Sequence, residues 1–272
     1  MNTPFLLNDR AIIAISGQEA PGFLQGLVTN DVDSLADHAV AYAALLTPQG
    51  KVLFDFLIAR RGGEFLLDCG AEAAGALAKR LLLYRLRSKV VIEIRADMAV
   101  LAAWDEVTLP DSDFPDPRLP ALGRRAIVSR DGLQGHARGA EPYLAHRLDC
   151  GVPEGADFGQ DRIFALDAGL DELHGVSFDK GCYVGQELTA RMKHRGTARK
   201  RVLPVGTVDG SVLAAPETSV SAGARDLGAI ISTYGSRGFA LIRLDRLAED
   251  DTALPHAAGT PVRVTVPAWL SA

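Results

Sequence analysis

One cysteine lies in a segment whose neighbours could make its thiol reactive. Residues 180–187 read KGCYVGQE, so Cys182 stands between two glycines and close to Lys180. The thiolate acts as nucleophile or metal ligand, and a nearby cation or helix N-terminus lowers the thiol pKa from about 8.5. We expect a helix to begin near Gly185 and to direct its free N–H groups towards Cys182. The alternative is a buried cysteine in a glycine-bounded turn, since free cysteines are commonly buried.

The cysteine count limits the metal or disulfide sites that this chain can build. Its three cysteines, Cys69, Cys150 and Cys182, are far apart in sequence and form no C-x-x-C pair. A disulfide framework, or a cluster held by this chain alone, would need more cysteines at closer spacing. The six histidines show no ligand spacing either. We therefore expect no permanently bound metal.

The composition is typical of a globular protein of enzyme size. The 272 residues, 47% hydrophobic and 23% charged, are enough for one large or two moderate domains. No apolar run approaches the roughly 20 residues of a membrane span, and residues 1–4 do not resemble a signal peptide. The sequence therefore predicts a cytoplasmic protein without a membrane partner.

Positive charge is concentrated in one part of the chain. Residues 180–201 carry seven Lys and Arg against the single acid Glu187, although the whole chain has a net charge of −5. Such a run attracts a polyanionic ligand, a phosphate backbone or an acidic partner protein. Only 6% of residues are aromatic, which disfavours direct nucleic-acid binding by base stacking. The alternative is a solvated surface without a partner.

Hydrophobic periodicity predicts an α+β fold in which antiparallel pairing dominates. Hairpins are predicted over three apolar runs, at 39–46, 51–61 and 64–68. Other predicted strands lie at 10–15, 89–94, 98–104 and 124–129, and helices at 18–28, 71–86 and 142–149. The segment 105–122 holds four prolines among acidic residues and is predicted to be a surface loop.

The pattern changes beyond residue 201 to short β-type runs between glycine or proline breaks. The clearest of them lie at 202–208, 227–233, 239–244 and 262–266. They predict a small barrel or sandwich. We place the boundary near Ala198, which divides the chain into domains 1–198 and 199–272.

Several segments match a known family in the same order along the chain. The most specific is KGCYVGQE, with LTAR directly after it and GVSF at 175–178 before it. Further matches lie at 27–32, 47–55, 84–90 and 151–155. These segments resemble the YgfZ family of folate-binding, iron–sulfur-assembly proteins, relatives of the glycine-cleavage T-protein. The resemblance implies a folate-binding domain of two interleaved α+β subdomains with antiparallel sheets, followed by a small C-terminal β-barrel.

The resemblance also implies a cofactor and partners. The cofactor would be tetrahydrofolate or a derivative. The partners would be an iron–sulfur scaffold or carrier protein and [4Fe–4S] apo-enzymes, including enzymes of tRNA modification. Cys182 would be catalytic and a transient cluster ligand, because one sulfur cannot hold a cluster. Cofactor contacts are implied for Asn30, Lys180, Tyr183, Gln186, Glu187 and Arg191.

Two carboxylates occupy folate-site positions of the T-protein by this resemblance. Asp167, in LDAGL at 166–170, replaces a glutamate that grips the pterin ring, and a carboxylate can accept two N–H bonds from an aminopyrimidine edge. The T-protein carries two adjacent aspartates in its folate-site strand, and this chain has only one of the two, Asp55. Asp55 would act as a catalytic acid or base. Alternatively, Asp167 caps the turn at Gly169, and Asp55 marks the exposed face of a strand.

These residues favour one function and leave two alternatives. We expect a tetrahydrofolate-binding factor that assists the assembly or repair of [4Fe–4S] clusters. The first alternative is a folate-dependent aminomethyltransferase or demethylase, an enzyme of one-carbon transfer that depends on Asp55 and Asp167. The second is an RNA-binding regulator that uses the basic run, with an affinity that falls steeply as salt rises.

Overall fold

The described residues form two sheets, in which antiparallel pairing dominates, and a closed β-barrel, which confirms the predicted α+β class. A computed structural model describes residues 4–105, 107, 109, 113–131, 133, 137–138, 140–196, 199–247 and 253–270. Within these residues, no helix combines the length and the hydrophobicity needed to cross a membrane.

The first sheet carries two helices on one of its faces. Its strands are β2 (Arg10–Ser16), β3 (Val40–Leu46), β4 (Val52–Arg61), β5 (Glu64–Gly70) and β6 (Val91–Ile94). They are ordered β3-β4-β5-β2-β6, so that β3 and β6 are the edges. Helices α1 (Ala20–Gln25) and α2 (Ala71–Arg85) cover one face through residues such as Leu24 and Leu77, which pack with Ile13 of β2.

The second sheet packs on the other face of the first. Its strands are β1 (Phe5–Leu7), β7 (Met98–Ala103), β8 (Asp113–Pro115), β9 (Arg124–Ser129) and β10 (Ala137–Arg138), in the order β10-β1-β7-β9-β8. Helices α3 (Glu141–Cys150) and α4 (Gly155–Phe158) follow. Strand β1 precedes the first sheet in sequence but pairs within the second, so the two subdomains are interleaved as predicted. Ile12 and Val100 meet in the core between the sheets, because alternate residues of β2 point to opposite faces.

Helix α5 (Gln186–Arg195) leads into a closed barrel. The barrel strands are β11 (Lys200–Thr207), β12 (Ser219–Ala222), β13 (Arg225–Tyr234), β14 (Arg237–Arg243), β15 (His256–Ala257) and β16 (Thr260–Val264). Short helices lie at α6 (Leu244–Leu247) and, as 3-10 turns, at Pro120–Leu122 and Ala268–Leu270. The small barrel was predicted, whereas β12 and β15 are too short to show a period. The boundary near Ala198 lies outside the described residues and stays a prediction.

The prediction of a surface loop over 105–122 is wrong for its second half. Residues 113–115 form strand β8, which pairs with β9. Asp116 and Arg118 are only 3% and 2% exposed. Their side chains pair with each other at 2.7 Å, and this ion pair lets charged residues beside prolines enter the interior. Pro110 lies outside the described residues.

Candidate functional site

Two glycines hold the KGCYVGQE segment against the turn between β3 and β4. Gly50 and Gly185 have φ angles of +80° and +83°. A Cβ on Gly185 would collide with the main-chain oxygen of Thr47 and would lie 2.9 Å from Leu46 Cβ. Both glycines are therefore required, since their backbone is left-handed and the two segments touch through main-chain atoms.

Lys180 is buried and ties the start of this segment to the loop after α1. Its Nζ donates hydrogen bonds of 2.7 Å to the main-chain oxygens of Val28 and Asn30. It also lies 5.2 Å from the centre of the buried Tyr183 ring. Burial lowers the pKa of Lys180 to about 8. The sequence predicted a cation beside the thiol. In the structure, this ammonium group instead donates hydrogen bonds to main-chain carbonyls.

Asn30 and Thr29 complete the anchor of this segment. Asn30 Nδ2 donates to the main-chain oxygens of Tyr42 and His174, both at 2.8 Å. Thr29 Oγ1 donates to the main-chain oxygen of Gly175 at 2.6 Å. The Asn30 side chain therefore joins three chain segments and acts as a positioning residue.

Cys182 is exposed within the segment that these contacts hold. The alternative of a buried cysteine is therefore wrong. Helix α5 begins at Gln186 directly after Gly185, as the sequence predicted. Gln186 Oε1 accepts a hydrogen bond of 3.3 Å from the main-chain N–H of Tyr183, which closes the turn after the thiol.

Glu187 and Arg191 face solvent on helix α5. Arg191 Nη2 lies 2.7 Å from Glu187 Oε1, and both side chains are more than half exposed. Exposed pairs of this kind contribute about 0.3–0.5 kcal/mol on a helix. Tyr183, by contrast, is buried, and burial raises its pKa to about 12. The motif thus has a buried face and an exposed face.

Asp55 is buried in the wall of a cavity of about 860 Å³. Its Oδ2 accepts a hydrogen bond of 3.0 Å from the Tyr42 hydroxyl, and its Oδ1 accepts one of 2.9 Å from the Gly155 N–H. Burial and the neighbouring Glu154 carboxylate raise the pKa of Asp55. Its interpretation as the exposed face of a strand is therefore wrong, and a buried carboxyl with a raised pKa suits proton transfer.

A cluster of buried arginines lies beside Asp55, and the sequence analysis did not predict it. The Glu154 carboxylate is 2.7 to 3.9 Å from the guanidinium groups of Arg10, Arg118, Arg125 and Arg147. The other carboxylates of this arginine cluster are Asp68, Asp116 and Asp157. Burial raises the pKa of Glu154, but the arginines outweigh burial and hold it well below its usual value.

The arginine cluster joins the three parts of the fold. Arg10 belongs to β2 of the first sheet and Arg125 to β9 of the second, and both pair with Asp68 of β5. Ser232 of the barrel donates a hydrogen bond of 2.9 Å to Asp157 of α4. The partners are far apart in sequence, so no local pattern could have indicated them.

Asp167 lies near the barrel and is not among the residues that line the 860 Å³ cavity. It is 6% exposed, and its main-chain oxygen accepts a hydrogen bond of 2.8 Å from Val202 N–H. Its Oδ1 is buried and has no hydrogen-bond partner among the described residues. Burial raises its pKa to about 6, against the effect of Arg201 and Lys200. This oxygen therefore has an unused capacity to accept a hydrogen bond.

Two acidic residues that follow Asp167 were also missed. Lys193 Nζ lies 3.0 Å from Asp171 Oδ2, and Arg201 Nη2 lies 2.8 Å from Glu172 Oε1. Burial and the neighbouring Asp171 raise the pKa of Glu172 to about 7. The predicted basic run is thus partly neutralised by acids. In the sequence, the Asp-Glu pair directly after LDAGL was the signal that could have indicated these acidic partners.

The structure therefore distributes the predicted site residues over several places. The anchor of the segment contains the buried Lys180 and Tyr183 and the partly exposed Asn30. The exposed surface holds Cys182, Glu187 and Arg191. Asp55 and Asp167 are each buried in their own surroundings. Among the described residues, no group of three or more His, Cys, Asp or Glu could hold a metal ion.

The fold and the barrel have known counterparts. The glycine cleavage system aminomethyltransferase T from Bartonella henselae matches with a TM-score of 0.76 and 15% sequence identity, over 98% of this chain and 85% of that one. The family model "CAF17, C-terminal beta-barrel domain" matches residues 199–272. The chain is thus of the class that joins an aminomethyltransferase-like fold to a CAF17-type barrel.

Curated relatives define the family more narrowly. Human iron-sulfur cluster assembly factor IBA57, mitochondrial, is 31% identical over 97% of this chain and 84% of its own length. The homologue from Mycosarcoma maydis is 37% identical over 72% of this chain. The chain spans 55% of that relative and 52% of the one from Neurospora crassa, about half of each length. The chain belongs to the IBA57 family of iron–sulfur cluster assembly factors.

The comparison corrects one prediction. The expected cytoplasmic location is wrong, because these relatives are named as mitochondrial proteins. The expectation rested on a missing membrane span and a missing secretory signal. Neither feature distinguishes the cytoplasm from the interior of an organelle.

Proposed function

We propose that this chain assists the assembly or repair of [4Fe–4S] clusters, with Cys182 as a transient ligand of iron. The observation that carries the proposal is an exposed thiol between two fixed points, Lys180 and Gly185. Membership of a family of iron–sulfur cluster assembly factors supports the general role. The narrower likeness to YgfZ proteins rests on the KGCYVGQE segment.

A partner must supply the other ligands of the cluster. Clusters are held by several thiolates, whereas Cys69 is buried and Cys150 is partly buried. Cys182 would therefore meet a cluster at the surface of an iron–sulfur scaffold or carrier protein. The recipients would be [4Fe–4S] apo-enzymes, with enzymes of tRNA modification among them.

Tetrahydrofolate, or a derivative of it, would be held at Asp167. Asp167 Oδ1 is a buried acceptor without a partner among the described residues, and the aminopyrimidine edge of a pterin presents N–H donors. Arg199 and Lys200 are exposed and lie just before Val202, whose N–H donates to the Asp167 main-chain oxygen. These cations suit an anionic glutamyl tail. When bound, the folate would supply one-carbon chemistry.

Replacing the thiol tests the role in cluster assembly. We expect Cys182→Ser to abolish the rescue of [4Fe–4S] enzyme activity in cells that lack the endogenous factor, because a hydroxyl does not replace a thiolate on iron. The free energy of unfolding should change by less than about 0.5 kcal/mol, since Cys182 is exposed. Cys150→Ser, outside the motif, is the control and should rescue normally. Full rescue by Cys182→Ser would refute the thiol's role.

Replacing Asp167 tests the folate site. We expect Asp167→Asn to weaken tetrahydrofolate binding about 10- to 100-fold, because hydrogen bonds to a charged group are worth about 1.5–3 kcal/mol. Calorimetric titration measures this change, and Asp161→Asn, at an exposed position, is the control. Equal affinity in both variants, or no binding by the unmodified protein, would remove folate from the proposal.

One-carbon transfer is the second candidate function, because Asp55 is buried at a cavity with a raised pKa. It would require turnover of a methylated or aminomethylated substrate. Such turnover would depend on Asp55 and would survive Cys182→Ser, so the thiol variant separates the two functions.

A further inference from the structure

Helix α2 exposes two leucines that the core does not use. Its residues Ala74, Leu77 and Leu81 are buried against the first sheet. Leu82 and Leu83 are 45% and 63% exposed, on the side of the helix that points away from the sheet. One apolar face is enough to fold a surface helix. The two exposed leucines therefore need another explanation.

The exposed apolar surface continues beyond the helix. Leu86, the residue directly after α2, is 86% exposed. Strand β6 packs beside α2 at the edge of the sheet, and its Ile94, which pairs with Ile13 and so lies on the face that carries the helices, is 50% exposed. We refer to Leu82, Leu83, Leu86 and Ile94 as the leucine patch.

The backbone at Leu86 supports a role for this exposure. Its φ angle is +45°, a region that leucine rarely adopts because its Cβ is crowded there. Backbone strain of this kind persists where the surrounding structure maintains it, and it is concentrated at functional positions.

The leucine patch has a basic rim. Five exposed cations surround it in sequence, namely Lys79, Arg80, Arg85, Arg87 and Lys89. No Asp or Glu occurs between residues 73 and 92, although the whole chain has a net charge of −5. On the helix, Lys79 lies between Leu82 and Leu83, and Arg80 and Arg85 lie on either side of these two leucines. This is the charge pattern of helices that lie in a membrane interface.

We propose that the leucine patch and its basic rim bind the surface of an anionic lipid membrane. The leucines would enter the boundary between headgroups and acyl chains, while the arginines and lysines extend to lipid phosphates. A second copy of the chain fits less well, because a symmetric contact would bring the two basic rims together. The inference goes beyond cluster assembly and departs from the sequence-based expectation of no membrane partner.

Vesicle flotation of the full chain tests the proposal. We expect it to float with vesicles of equal amounts of phosphatidylcholine and phosphatidylserine, to float less as salt rises, and to remain unbound with phosphatidylcholine alone. Leu83→Ser with Leu86→Ser, and Arg80→Ala with Arg85→Ala, should each lower partitioning about tenfold or more. All four side chains are exposed, so circular dichroism should show an unchanged fold.

Matched controls lie outside the patch. Val212→Ser removes an apolar side chain that is 81% exposed near the barrel, and Arg130→Ala removes an exposed cation after β9. Both should float like the unmodified protein. The proposal is overturned if the anionic vesicles do not bind the chain, or if the patch variants bind as well as the controls. A dimer that is lost in Leu83→Ser with Leu86→Ser, without vesicle binding, would instead assign this surface to a second copy.

Discussion

Gly185→Ala is expected to destabilise the protein by about 2–4 kcal/mol and to remove its activity in cluster assembly. Gly185 has a φ of +83°, where a residue with a Cβ costs about 1–2 kcal/mol. The new Cβ would also collide with the Thr47 main-chain oxygen and lie 2.9 Å from Leu46 Cβ. Because the colliding atom belongs to the main chain, relief requires the KGCYVGQE segment to move.

Gly181→Ala is the matched control within the same segment. A Cβ on Gly181 would meet no heavy atom within 4 Å. Its effect should stay below about 1 kcal/mol, as for a glycine whose backbone alanine can adopt. Urea unfolding and the rescue assay measure both variants. Equal stability and equal rescue would show that the contact between the segment and the turn at 47–50 does not position the thiol.

Glu154→Gln is expected to destabilise the protein by about 3–5 kcal/mol, the usual cost of breaking a buried ion pair. The substitution keeps the shape of the side chain but removes the charge that lies between four buried guanidinium groups. Glu141→Gln is the control, because Glu141 is exposed in the first turn of α3 and contributes at most about 1 kcal/mol there.

The same variant should change the response to acid. The pKa of Glu154 in the folded protein lies well below the ordinary value of 4.5, so the folded state keeps it ionised where the unfolded chain takes up a proton. This stabilisation is complete above the ordinary value and is lost as the pH falls towards the folded pKa. Stability measured below pH 4.5 should therefore fall less steeply in Glu154→Gln. An equally steep fall in the two proteins would contradict this assignment.

Local patterns predicted most of the secondary structure. Strand β9 occupies 124–129 as predicted, helix α2 ends one residue short of the prediction, and α5 begins directly after Gly185. These signals are local, because side-chain period and glycine turns act over a few residues. The segment 113–122 was mistaken for a surface loop because its charged residues are buried and stabilised by distant partners, such as Glu154 for Arg118.

The sequence by itself determined that Cys182 stands between two glycines and which family-like segment surrounds it, because residue type and spacing are properties of the chain. Only the tertiary structure decided that Cys182 is exposed, that the Lys180 ammonium binds main-chain carbonyls, and that Asp55 is buried. Burial and charge depend on contacts between distant segments, which lie 152 residues apart for Lys180 and Val28 and 100 for Asp55 and Gly155. No local pattern contains those contacts, and they set the free energy of each charged group.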